Sequence, residues 1–180
     1  MTSDLWRRTG AIWPIGVSCS LTWCDLGAIA HIIQTAGIRT VLEVGVEHGG
    51  LASYLRAYGL YTGLAYRGID ITLNALNTTV RERDLSAIDQ RDAWTADTVA
   101  EMRDWLNDAP APALIICDGG DKPKELHLYA PLLRHGDVLI GHDYHNEYSD
   151  AALAGMPKTV TQYVADWLDD TLLCMFVVRS

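Results

Sequence analysis

Apolar and polar positions follow two rhythms along this chain. Six stretches, Thr40–Gly45, Tyr66–Asp70, Ala87–Arg91, Ala113–Asp118, Asp137–Asp143 and Leu172–Val178, are mostly continuous apolar runs, as strands covered on both faces require. Between them apolar residues return at helical spacing: Asp25–Ala36 before the first strand, then Leu51–Tyr58, Leu73–Arg83, Ala96–Asn107, Lys124–Arg134 and Lys158–Asp169. Loops punctuate the pattern at Ala109–Pro112 and at Arg134–Gly136, where a glycine ends a helix. Repeated βα units of this size predict an α/β fold. We expect a doubly wound, mostly parallel sheet of six to seven strands with helices on both faces. Residues 1–180 read as one domain, with a core from 25 to 180 and an irregular segment over 1–24. Trp6, Trp13 and Trp23 in that segment are expected to pack on a sheet edge or a partner chain.

Composition narrows the partners more than the fold. At 180 residues and 49% hydrophobic, the chain buries a sizeable single core. A net charge of −9 counts against nucleic acid, whose phosphates need clustered Lys and Arg. No apolar run approaches the ~20 residues of a membrane span. The expectation is a cytoplasmic protein with no membrane partner. Cys19, Cys24, Cys117 and Cys174 lack the spacing of a zinc site and read as free thiols.

Chemistry gathers at the predicted strand ends, where open α/β sheets bind ligands. The first strand runs into Glu43, then Gly45, Gly49 and Gly50, and a helix opens at Leu51. Asp70 closes the second strand, Asp92 lies just past the third, Asp118 closes the fourth, and His142 with Asp143 closes the fifth. Neighbouring strands lie ~4.8 Å apart, so these carboxylates converge on one crevice. A dinucleotide loop wants Gly-x-Gly-x-x-Gly, but Glu47 stands where the second glycine belongs. That spacing and the acidic Glu43 rank a nicotinamide-dependent reductase low and favour a cationic ligand. Asp70, about 25 residues past the loop's first glycine, suits ribose hydroxyls.

With these residues in place, a family resemblance emerges. Val41–Gly50 resembles the first motif of class I S-adenosylmethionine (SAM)-dependent methyltransferases, Gly68–Asp70 the second and Arg91–Trp94 the third. The stretch from Ile116 through Leu128–Tyr144 is similar to the macrocin O-methyltransferase and cephalosporin hydroxylase-like group. The resemblance implies that Glu43, Gly45, Val46, Glu47 and Gly49 surround the methionine part of SAM. Asp70 and Ile71 would hold the ribose side, Asp92 and Ala93 the adenine, and Asp118 the cofactor's inner edge. It further implies that Asp118 and Asp143 bind a divalent cation, magnesium in metal-using members, which would polarise the acceptor hydroxyl. Here His142 stands where such members often carry an acid, and Asp121 where many have His; imidazole suits manganese, iron or zinc. His145, in the loop after Asp143, is a candidate general base.

The expected function is SAM-dependent methylation of a hydroxyl oxygen on a small molecule or sugar. The alternative is a non-catalytic SAM-binding regulatory or assembly subunit. Homodimerisation is a further expectation.

Overall fold

The computed structural model describes residues 17–83 and 85–178. Most of the irregular segment, with Trp6 and Trp13, lies outside them. Its described end, residues 17–22, is not a loose surface strand of chain: Val17, Cys19 and Leu21 are buried in the core.

The elements run α1 (Trp23–Thr35), β1 (Thr40–Val44), α2 (Gly50–Thr62), β2 (Ala65–Asp70), α3 (Thr78–Arg83), β3 (Ile88–Gln90), α4 (Ala96–Asp108), β4 (Ala113–Cys117), α5 (Lys122–Tyr129), β5 (Val138–Gly141), β6 (Val160–Tyr163) and β7 (Cys174–Val178). The strands form one seven-stranded sheet in the order β3-β2-β1-β4-β5-β7-β6. β1 pairs in parallel with both β2 and β4, whereas β7 is antiparallel to β5 and β6.

Strand periodicity sorts the core. Val41, Leu114, Ile116, Val138 and Ile140 belong to the cluster on one face, while Leu42, Val44, Ile115, Cys117 and Leu139 belong to the other. Both faces are apolar because helices cover both. Helix starts follow local chemistry. Thr22 and Asp25 form a reciprocal capping box at α1, Thr95 caps α4, and Asp121 caps α5 with a proline in its first turn.

One predicted element changes type. Lys158–Asp169 was expected to be helical, and its Val160, Tyr163, Val164, Trp167 and Leu168 do fall at i, i+3, i+4, i+7 and i+8. Instead, Val160–Tyr163 is the edge strand β6 and Asp166–Leu168 a single 3₁₀ turn. The β-branched run Thr159–Thr161 favours extended backbone, and pairing with β7 supplies its hydrogen bonds. This edge strand completes the seven. The helix expected from Leu73 begins only at Thr78, because Leu73–Asn77 forms a turn that packs Leu76 against the glycine loop. Among the described residues, no helix is long and apolar enough to cross a membrane.

Candidate functional site

Strand order reverses between β1 and β4, so their carboxyl ends leave a crevice. A cavity of about 530 Å³ opens there, within the range that holds small-molecule ligands. Backbone continues the ladder past the strands at this point. Gly45 N donates to Ile69 O, Asp118 N to Val44 O, and His142 N to Cys117 O. These three bonds tie the ends of β2, β1, β4 and β5 into one rim.

Glu43 sits on the floor of the cavity, buried and on the same face of β1 as Val41. The register explains how a carboxylate is kept there. Val41 pairs with Tyr66 and Glu43 with Gly68. A side chain at Gly68 would meet the Tyr66 hydroxyl at 2.5 Å. The missing side chain thus lets that hydroxyl pass over and donate to Glu43 Oε2 at 2.5 Å. Burial holds the Glu43 carboxyl well above the ordinary carboxylate range, and the Tyr66 hydrogen bond only partly opposes it. A cationic ligand above it would restore the charged form.

Asp70 is the latch of the glycine loop. Its Oδ2 accepts from Val46 N at 2.8 Å and Glu47 N at 3.0 Å, and its Oδ1 from Thr72 N at 3.0 Å. Glu47 is held at φ 50°, where a non-glycine residue is uncommon, and its carboxylate accepts from the Ser20 hydroxyl. Gly45 has φ 87°, and a Cβ there would lie 2.5 Å from Asp118 O. Only glycine lets the loop approach the end of β4 so closely.

Asp92 and Ala93 line the opposite end of the cavity with Trp94. Asp92 Oδ1 accepts from Trp94 N at 2.9 Å, and Tyr129 OH donates to Ala93 O at 3.0 Å. Lys124 Nζ lies 3.9 Å from the centre of the Trp94 ring, a cation–π contact that steadies the indole.

The far wall joins β4 to β5. Asp118 and Asp143 line the cavity, and buried His142 lies behind them. His142 Nδ1 is 3.0 Å from Asp118 Oδ1 and 3.4 Å from Asp143 Oδ2, and Nε2 is 3.5 Å from Asp25 Oδ2. Burial works against a charged imidazole here, but the three carboxylates outweigh it and push His142 up to about 12. The His142 hydrogen bond brings Asp143 down to about 2, while burial raises Asp118.

Sequence reasoning passed over Lys122. It is buried, and its Nζ pairs with Asp143 Oδ2 at 3.0 Å and Glu147 Oε2 at 2.7 Å on the same wall. Its position in the first turn of α5, after Asp121, was the available signal. Asp121 itself caps α5, its carboxylate accepting from Lys124 N.

Most predicted positions meet in this one cavity: Glu43, Gly45, Val46, Glu47, Asp70, Ile71, Asp92, Ala93, Asp118 and Asp143 all line it. Gly49 does not line it but shapes the loop as the left-handed cap before α2. His145 also stays outside. It is exposed at φ 68°, with its ring 3.8 Å from that of Tyr144. His48, by contrast, lines the cavity, with its Nδ1 2.9 Å from Ala75 O.

The donor atoms Asp118, His142 and Asp143 suit a divalent cation. All lie within 4.8 Å of one another. Two donors at ~2.1 Å from an ion stand about 3.0–3.4 Å apart for octahedral or tetrahedral angles, matching the two Nδ1–carboxylate distances.

No protein-family model and no curated protein matches the chain. Solved structures do. CmcI with Mg and SAM superposes with a TM-score of 0.66 at 18% identity, over 89% of this chain and 75% of that one. The fold is that of the class I methyltransferases. CmcI with SAH gives 0.68 at 16% identity, over 92% and 82% of the two chains. A protein from Staphylococcus aureus described as a caffeoyl-CoA O-methyltransferase gives 0.59 at 15%, over 86% and 83%. At these identities the likeness is one of fold.

Proposed function

We propose that this protein is a SAM-dependent methyltransferase that methylates a hydroxyl oxygen of a small-molecule or sugar acceptor in the cytoplasm. The observation that carries the reading is Glu43, a carboxylate buried under a glycine loop at the topological switch point. A pyrophosphate would gain nothing from a carboxyl that burial raises, whereas a sulfonium-bearing, adenosine-containing donor favours its charged form. The ligands of the solved CmcI structures, SAM and SAH, support the same reading.

In this proposal the amides and side chains of Gly45, Val46 and Glu47 enclose the methionine part. Asp70 and Ile71 take the ribose side, and Asp92, Ala93 and Trp94 the adenine. The acceptor enters against the wall of Asp118, Asp143, Lys122 and Glu147. Methyl transfer is an in-line displacement, so the chain's work is to orient two reactants and exclude water. Lys122 places a positive charge beside the oxygen that loses its proton. Asp118, His142 and Asp143 would hold a divalent cation, which when bound supplies Lewis-acid activation of the hydroxyl. Residues 1–180 would act as one domain with 25–180 as its core, and homodimerisation is a further expectation; the −9 charge counts against a nucleic-acid acceptor.

The test is release of SAH from SAM across a panel of hydroxyl-bearing acceptors, with Asp118→Ala as control. Acceptor-dependent SAH release that Asp118→Ala loses supports the proposal. Tight SAM binding with no release from any acceptor favours a non-catalytic SAM-binding subunit.

A further inference from the structure

Asp25 belongs to α1, remote in sequence from the strand ends, yet it closes the back of the His142 site. It is completely buried. Its Oδ2 accepts from Thr22 N at 2.8 Å and Thr22 Oγ1 at 2.6 Å, and its Oδ1 from Leu172 N at 2.8 Å. Donors from the start of α1 and from the approach to β7 therefore fix the carboxylate before any contact with histidine is counted. A capping box works at a helix surface and gives no reason to bury its acid. Burying a carboxylate is costly unless a partner offsets it.

That partner is the His142 ring. Its Nε2 faces Asp25 Oδ2 at 3.5 Å and, among the described residues, is a buried side-chain nitrogen with no formed hydrogen bond. Its Nδ1 faces Asp118 and Asp143. With Nε2–H directed at Asp25, Nδ1 is the nitrogen that would give up its proton to an incoming cation, and its lone pair would then be aimed between the two carboxylates at the cavity wall. Carboxylates placed behind a histidine in this way fix its tautomer and ring orientation as a metal ligand. The backbone reinforces the placement, since His142 N donates to Cys117 O at 3.0 Å.

We propose that Asp25 is a positioning residue that fixes His142 as a nitrogen donor, so that Asp118, His142 and Asp143 select a divalent transition ion of the manganese, iron, cobalt and zinc class over magnesium. Magnesium prefers oxygen donors and its own waters. An imidazole in a set of three suits the transition ions. The inference rests on the divalent-cation part of the proposed function, and it is read by metal binding without acceptor or turnover.

The full chain, stripped with a chelator, is titrated calorimetrically with MnCl₂ or MgCl₂ alone, and the Mn²⁺ form is examined for ¹⁴N coupling by pulsed electron paramagnetic resonance. One Mn²⁺ per chain is expected, bound on the order of tenfold or more tighter than Mg²⁺, with imidazole nitrogen coupling. Asp25→Asn should weaken Mn²⁺ by roughly 10–100-fold and leave Mg²⁺ nearly unchanged. His142→Gln should abolish the nitrogen signal and close the Mn²⁺/Mg²⁺ gap, and it decides the matter alone if Asp25→Asn does not fold. Equal affinities for the two ions, absence of nitrogen coupling, or an Asp25→Asn protein that binds like the wild type overturns the inference. So does failure to bind any ion, which would make His142 a permanent cation among three carboxylates. SAH affinity measured on the same samples separates the two readings. SAH binding without metal selectivity sinks this inference alone, and metal selectivity without SAH binding sinks the methyl-transfer reading.

Discussion

Replacing Asp70 with alanine removes a single carboxylate that three backbone amides share. Val46 N and Glu47 N converge on Oδ2 at 2.8 and 3.0 Å, and Thr72 N reaches Oδ1 at 3.0 Å. Hydrogen bonds to a charged acceptor contribute about 1.5–3 kcal/mol each when shielded. These amides lie at a cleft rim where water replaces the lost partner, so about 0.5–1 kcal/mol each is the better figure. The three together give a loss of about 1.5–3 kcal/mol. The midpoint of urea unfolding should fall with an unchanged slope. Released from the latch, Glu47 no longer needs its left-handed backbone at φ 50°, and the loop relaxes away from its binding shape. SAH affinity by calorimetry should drop about 10–100-fold, or about 1.4–2.7 kcal/mol. Asp70→Asn is the informative control. Its remaining oxygen still accepts from Val46 and Glu47, but its amide group faces Thr72 N, so a loss of about 1 kcal/mol is expected. An Asp70→Ala protein with unchanged midpoint and unchanged SAH affinity would refute the latch, as would an Asp70→Asn protein as damaged as the alanine variant.

Three other outcomes follow from the same geometry. Gly45→Ala forces a Cβ to within 2.5 Å of Asp118 O at φ 87°; calorimetry should show about 2–4 kcal/mol lost and a melting point lower by roughly 5–15 °C, and a melting point within error of wild type would contradict the close approach. Burial raises the Glu43 carboxyl in the folded chain, so the stability from keeping it neutral is fully present below the unfolded value of about 4.5 and is lost as pH rises through the folded value. Urea unfolding of the ligand-free protein should therefore show a falling contribution with pH that Glu43→Gln lacks, and parallel curves for the two proteins would rule this out. Trp94→Ala removes an aromatic wall of the cavity and should weaken SAH by about 1–2 kcal/mol, roughly 5–30-fold, by calorimetry; undiminished affinity would place the adenine elsewhere.

Much of this was legible in the sequence because parallel strands buried on both faces announce themselves as continuous apolar runs. β1, β2, β4, β5 and β7 were found within a few residues of their ends. Acidic residues at successive strand ends were enough to assemble the cavity wall, since parallel strands bring their carboxyl ends together. β6 was missed because an edge strand with one buried residue carries little periodic signal, and its spacing imitated a helix. The Tyr66–Glu43 contact needs the β1–β2 register and the vacancy at Gly68, neither of which periodicity supplies. Asp25 was legible only as the first residue of a helical stretch; its place in the capping box with Thr22 and its contact with His142 come from where α1 begins and how it packs. Lys122 was hidden for the same reason: its role comes from the angle of α5 against the β5 end. His145 shows the converse error, since adjacency to Asp143 in sequence did not bring its side chain into the cavity once the chain turned at φ 59° and 68°.

Calorimetric titration of the full chain with SAM and SAH, set beside NADH, tests the central claim most directly. A cavity floored by Glu43 and closed by an Asp70-latched loop predicts one SAM or SAH bound per chain, lost or strongly weakened in Asp70→Ala, and no heat from NADH. Binding of NADH in preference to SAM and SAH, or no binding of either methyl-donor form, would contradict it.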